Sequence, residues 1–111
     1  MPSQRIRQDI EQIVQAYTDL LRKELDLQSV YIFGSYVNGN ATEDSDIDVA
    51  VVANDFSGDS IEDTMRLMKI RREVDIRIEP HPFQSEDFQD DYPFVKEILE
   101  NGSEVFSQPV R

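Results

Sequence analysis

The chain has 111 residues, a length at which a single domain is expected, with 39% hydrophobic and 31% charged residues. Its 11 basic and 23 acidic residues leave a net charge of −12, which argues against direct nucleic-acid binding, because counter-ion release needs clustered Lys and Arg. There is no cysteine, hence no disulfide framework or thiolate metal site, and the longest apolar run, residues 49–53, is far short of the ~20 residues that cross a bilayer.

The first residues lack the basic, apolar and small-residue order of a signal peptide, so a cytoplasmic protein away from any membrane is expected. Residues 3–25 predict a long helix: Ser3 can cap it, and Ile6, Ile10, Ile13, Val14, Tyr17, Leu20, Leu21 and Leu25 recur at three- and four-residue spacings. Residues 29–33 are β-branched and aromatic, are closed by Gly34, and predict a buried strand. A short helix or turn follows, ended by Asn38-Gly39-Asn40. Residues 46–52 alternate acid with aliphatic and then become wholly apolar, predicting a second strand.

Past a polar loop, Ile61, Met65, Leu67 and Met68 predict an amphipathic helix over residues 59–72. The basic residues between Arg66 and Arg77 read as a solvated helix face followed by a strand. In that third strand Val74, Ile76 and Ile78 alternate with Asp75, Arg77 and Glu79, and Pro80 closes it. Residues 80–91 then form a polar connection. Pro93 opens a short helix over 93–100, stopped by Asn101-Gly102, and residues 103–106 add an edge strand. The alternation predicts an α/β fold, a small mixed sheet packed with helices, in one unit over residues 1–111.

The acids raise the chemical question. On a strand, Asp46 and Asp48 share one face while Ile47, Val49 and Val51 point into the core, and Asp75 follows the same rule on the next strand. Three converging carboxylates suit a hard cation such as Mg²⁺, which binds through carboxylates and substrate phosphates at about 2.0–2.1 Å. Two such ions about 3.5–4 Å apart can stabilise the attacking and leaving oxygens of an in-line phosphoryl displacement. Gly34 and Ser35 fit the scheme, since a glycine at a strand end lets backbone approach a phosphate and Ser35 adds a hydroxyl donor.

Other motifs fail or stay secondary. Asp44, Asp46 and Asp48 begin like a calcium loop, but Val49 and Asp55 stand where such a loop needs Gly and Glu. Residues 34–39 lack the ending of a Walker loop. Glu79 shares a face with Asp75 and is a rival third acid, though its place beside Pro80 puts it at the expected strand end.

The full pattern GSYVNGNATEDSDID, with Asp46 twelve residues after Gly34 and a third Asp on the next strand, resembles the polymerase β-like nucleotidyltransferase superfamily. Within it the chain is similar to the minimal nucleotidyltransferase (MNT) family, over nearly its whole length. The resemblance implies nucleotide-phosphate binding at Gly34 and Ser35, and metal-ligating, catalytic roles for Asp46, Asp48 and Asp75. Asp75 would also help deprotonate the attacking hydroxyl. It implies Mg²⁺ as cofactor, ATP as substrate, and AMP transfer to a tyrosine of a HEPN-domain toxin, the chain being the antitoxin of a toxin–antitoxin pair. One position departs: members often carry Arg just before the second glycine, where Asn38 stands. That substitution keeps open a second class of function, a weak or inactive module that neutralises its partner by contact.

Overall fold

The computed structural model describes residues 4–108 apart from residues 40 and 43. The expected Ser3 cap, Asn40 and the side chain of Ile6 lie outside the described residues. The elements, in order, are α1 (Gln4–Glu24), β1 (Leu27–Phe33), α2 (Ser35–Asn38), β2 (Ile47–Ala53), α3 (Ser60–Arg71), β3 (Ile78–Gln84), a 3₁₀ turn (Ser85–Asp87), α4 (Pro93–Asn101) and β4 (Ser103–Ser107). The sheet runs β3-β2-β1-β4, with β1 antiparallel to β2 and β4, and β2 parallel to β3. The mixed α/β sheet expected from the alternation is what forms.

Strand periodicity divides the sheet into two faces. Val30, Ile32, Ile47, Val49, Val51 and Ile78 point into the main core, where they meet α1 and α3. α1 reaches that core because Ile10, Val14, Tyr17, Leu21 and Leu25 fall on one helical stripe, and all five are buried. Each large apolar side chain buried there stabilises the fold by about 1.5–3 kcal/mol. Tyr17 adds a polar tie: its hydroxyl donates to Leu67 O at 2.8 Å, joining α1 to α3. Burial pushes the Tyr17 pKa far up, so the phenol stays a neutral donor.

The opposite face carries Tyr31 and Phe33 of β1, Asp48 and Ala50 of β2, and Glu79, His81 and Phe83 of β3, as the strand registers require. An aromatic chain covers much of it. Phe94 of α4 packs edge-on against Phe33 at 5.6 Å, Phe83 meets Phe88 at 5.2 Å, and Phe88 meets Tyr31 at 5.6 Å. Pairs of this kind contribute about 0.5–1.5 kcal/mol beyond their buried area.

Two expectations need correction. The third strand does not end at Pro80; it starts at Ile78 and runs through both prolines to Gln84. Arg77 O accepts from Ile47 N at 2.8 Å on the β2 side, whereas Ile78 O accepts from Arg71 Nη1 at 2.7 Å on the outer side. By alternation Pro80 and Pro82 turn their backbone outward as well, where no ladder bond is lost. Proline is tolerated on such an edge.

The second correction concerns α3. Its buried residues are Asp63 and Leu67, while Ile61 is 72% and Met65 56% exposed. The helix begins where Asp59 caps Ile61 N and Glu62 N, and the buried Asp63 carboxylate accepts from Ser57 N, Ser57 Oγ and Gly58 N. That carboxylate orients the helix by its first turn, so the apolar residues at 61 and 65 fall outside the core.

Replacing Tyr17 by Phe removes the α1–α3 hydrogen bond and little else. Urea denaturation should show a loss of about 0.5–1.5 kcal/mol with an unchanged slope. A change in slope would mean that the helix pair, and not one bond, had been disturbed.

Candidate functional site

The site begins where β1 ends. Phe33 lies opposite Asp48 in the antiparallel register, so the turn at Gly34 passes beside the Asp48 side chain. Gly34 has φ +78°, and a Cβ built there would collide with Asp48 Oδ2. Both facts demand glycine: the backbone is in the left-handed half of conformational space, and the carboxylate already fills the side-chain position. The sequence signal was therefore a steric one, a glycine at 34 because of an acid at 48.

α2 is one turn long, with Val37 N and Asn38 N both donating to Gly34 O at 3.1 and 3.0 Å. Gly39, in the left-handed conformation, ends it and donates to Ser35 O. The buried Tyr36 turns its hydroxyl toward Thr42 O at 3.0 Å and Ser45 O at 3.2 Å, sharing one proton between two carbonyls. Burial raises the Tyr36 pKa, which keeps that donor protonated. α2 thus holds the loop that delivers the acids of β2.

Asp48 sits on β2 opposite Glu79 of β3, and His81 stands two residues further along the same face. His81 Nε2 lies 3.2 Å from Asp48 Oδ1. Among the described residues, Asp48, Glu79 and His81 form a group whose ligand atoms all lie within 4.8 Å of one another, close enough to share one cation. The imidazole packs edge-on against Phe33, with centroids 5.0 Å apart, so the aromatic layer sets its orientation.

The structure divides the expected acid trio. Asp48 is central. Asp46 is exposed and stands one residue before β2, outside that group. Asp75 is not on a strand at all: β3 starts three residues later, and Asp75 lies in the turn before it. Its carboxylate accepts from Arg77 N at 2.8 Å, Arg77 Nε at 3.1 Å and Arg77 Nη2 at 2.8 Å. Glu79, the rival third acid, is the one that stands opposite Asp48 across β2 and β3. His81, the one histidine of the chain, was missed, although its two-residue step from Glu79 placed it on the same face.

Electrostatics follow the same division. The side-chain hydrogen bonds of Arg77 hold the Asp75 pKa below its ordinary value. A carboxyl with a folded pKa below its unfolded one stabilises the fold above the unfolded value, and that contribution disappears as pH falls through the lowered folded value. The pair is therefore fully formed at neutral pH and fails only in acid. Beside Gly34, between α2 and α4, a cavity of about 220 Å³ has Phe33 and Phe94 in its walls, with Asn38, Glu97 and Asn101 as polar groups.

The sequence profile of the family described as "Polymerase beta, Nucleotidyltransferase" matches residues 9–110. The Protein adenylyltransferase MntA of Thermococcus cleftensis is 43% identical over 44 residues, which is 40% of this chain and 44% of that protein, so the match spans less than half of the relative. A structure from Sulfolobus solfataricus, assigned as a nucleotidyltransferase, superposes with TM-score 0.66 at 17% identity over 90% of this chain and 82% of that one. A chain from the tri-AMPylated Shewanella oneidensis HEPN toxin in complex with MNT antitoxin superposes with TM-score 0.54 at 21% identity, over 91% and 72%. At these identities the two structures support the fold.

The Gly34–Asp48 contact can be tested without any substrate. Gly34→Ala should lower stability by about 1–3 kcal/mol, because φ +78° with ψ −144° is a conformation that side-chain-bearing residues rarely adopt, and push the Asp48 carboxylate aside. Mg²⁺ or Mn²⁺ should raise the melting temperature of the parent protein by linkage and leave that of the variant unmoved. A variant that keeps the full cation-dependent rise would show that Gly34 does not govern the position of Asp48.

Proposed function

Because the chain belongs to the polymerase beta nucleotidyltransferase family, we propose that it transfers AMP from ATP to a hydroxyl, specifically to a tyrosine of a HEPN-domain toxin, as antitoxin of the pair. One observation carries the reading: Asp48 and Glu79 face each other across β2 and β3 directly beside the Gly34-Ser35 turn. The relatives named above support the substrate class, one being called a protein adenylyltransferase and another an MNT antitoxin complexed with an AMPylated HEPN toxin.

In this reading Asp48 and Glu79 hold Mg²⁺, with Asp46 joining them from the exposed entry to β2. Two carboxylates fit that ion, and His81 completes the donor set or fixes the Asp48 carboxylate. Bound Mg²⁺ supplies charge neutralisation to the triphosphate. Ser35 donates its hydroxyl to a phosphate oxygen as the chain turns into α2. The cavity beside Gly34 offers the base aromatic walls and amide groups.

The tyrosine oxygen attacks the α-phosphorus, a new O–P bond forms, and the bridging bond to the β-phosphate breaks to release pyrophosphate. Glu79 takes the phenolic proton, a role that Asp75 is poorly placed to fill while Arg77 occupies it. Much of the rate in such a step comes from orientation and charge stabilisation, which a bound partner protein can provide. Asn38 favours the second reading, neutralisation by contact with little chemistry.

Intact-mass measurement on a co-purified HEPN protein with Mg²⁺ and ATP decides between the two. A gain of one adenylyl group on a tyrosine is expected, and a stable complex without it supports the contact-only antitoxin. Asp48→Asn and Glu79→Gln should abolish transfer while the fold persists, whereas Asp75→Asn should retain most of it. If Asp75→Asn is the inactive variant, the third carboxylate has been misplaced.

Ser35→Ala removes a donor to a charged phosphate, in the class worth about 1.5–3 kcal/mol. ATP affinity or turnover should fall about tenfold or more. An unchanged rate would remove Ser35 from the phosphate site.

A further inference from the structure

The exposed apolar stripe of α3 has no role in the fold. Ile61 and Met65 lie outside the core, and Met68, one turn further along the same side, is only partly covered. A helix that breaks its own amphipathic pattern in a protein of net charge −12 marks a surface that something else covers.

The stripe borders a groove of about 640 Å³ between α3 and the start of α4, along the outer edge of β3. Thr64 and Met68 form one wall, and Tyr92 and Phe94, each 52% exposed, form the other. The inner end is lined by Glu79 and His81, so the groove runs directly into the carboxylate site.

Two further features narrow the occupant. Pro80 and Pro82 line the floor and present no N–H to the outer edge, so a partner cannot simply add a strand to β3. Side chains must make the contact. Glu79 and Asp87 are acidic, no Lys or Arg among the described residues lines the groove, and the exposed Glu86, Asp90 and Asp91 adjoin Asp87 and Tyr92 in sequence.

We infer that this groove is the acceptor-docking site: it takes a segment of the partner protein in which an aromatic hydroxyl, set among apolar residues, is flanked by Lys or Arg. The apolar residues fill the space between Met68 and Phe94, the basic ones face Asp87 and its neighbours, and the hydroxyl reaches Glu79. The assignment rests on the proposed adenylyl transfer for its last step but not for binding. The groove lies on β3 and α3 beside the carboxylates, so an acceptor bound there is held by rigid elements next to the chemistry.

The test uses two fluorescein-labelled peptides, each with a tyrosine between leucines, one flanked by lysines and the other by glutamates. Fluorescence anisotropy should show the basic peptide binding at least about tenfold tighter, with an advantage that shrinks as salt rises. Thr64→Arg and Asp87→Lys each lie outside the carboxylate site. Both should weaken the basic peptide about tenfold and leave the Mg²⁺-ATP thermal shift intact.

Equal binding of the two peptides, or binding untouched by both variants, overturns the docking site. A concentration-dependent dimer abolished by Met65→Asp in analytical ultracentrifugation overturns it too, because a second copy would then be the occupant. The outcomes separate from those for the chemistry. Charge-selective binding without adenylyl transfer upholds the groove and sinks the reaction; transfer to the peptides with no effect of Thr64→Arg or Asp87→Lys does the reverse.

Discussion

The missing side chain of Gly34 is the constraint from which the geometry of the site follows. The Asp48 carboxylate lies where a Cβ would go, so the end of β1 and the start of β2 are fitted to each other at one point. The register that brings them there is pinned from the other side of the sheet. Val30, Ile32, Val49 and Val51 are all buried, and a slip of one residue would turn Asp48 into the core and Val49 out of it. The core does not merely support the site; it chooses which residue faces it. Tyr36 extends the same control to the loop before β2 by holding Thr42 and Ser45.

Charge is managed by separation. Asp48 and Glu79 are left close together across β2 and β3, with His81 beside them, an arrangement that favours an added cation. Asp75 has been withdrawn from that cluster by Arg77, which meets it through backbone and guanidinium alike. A third converging carboxylate without a partner would increase the repulsion. The aromatic layer contributes as well, because Phe33 and Phe94 pack around the His81 ring and limit where it can turn.

Much of this was legible before any coordinates. The stripe of α1, the alternation of β2 and the glycine before Ser35 are local patterns whose causes are local, and their elements form where the periodicities put them. β3 departs from its sequence pattern because proline stops a strand inside a sheet but not on an edge whose outward backbone makes no ladder bonds. That difference moves the strand, so that Glu79 and not Asp75 stands on it opposite Asp48. Edge position depends on strand order, and strand order is a tertiary property that no single strand displays.

The misreading of α3 has a different character. Its apolar residues follow a helical period, so the pattern itself was read correctly, yet Asp63 and Leu67 form the inward side. The Asp63 carboxylate wins that choice because it is buried and three donors of residues 57 and 58 satisfy it at once, whereas a buried carboxylate without partners would be costly. A buried acid therefore rotates an apolar stripe into solvent. The same sheet edge is denied to strand addition by Pro80 and Pro82, which leaves side-chain contact as the means of covering it. Apolar exposure and a blocked edge occur together beside Glu79, along the groove that opens onto the carboxylate site.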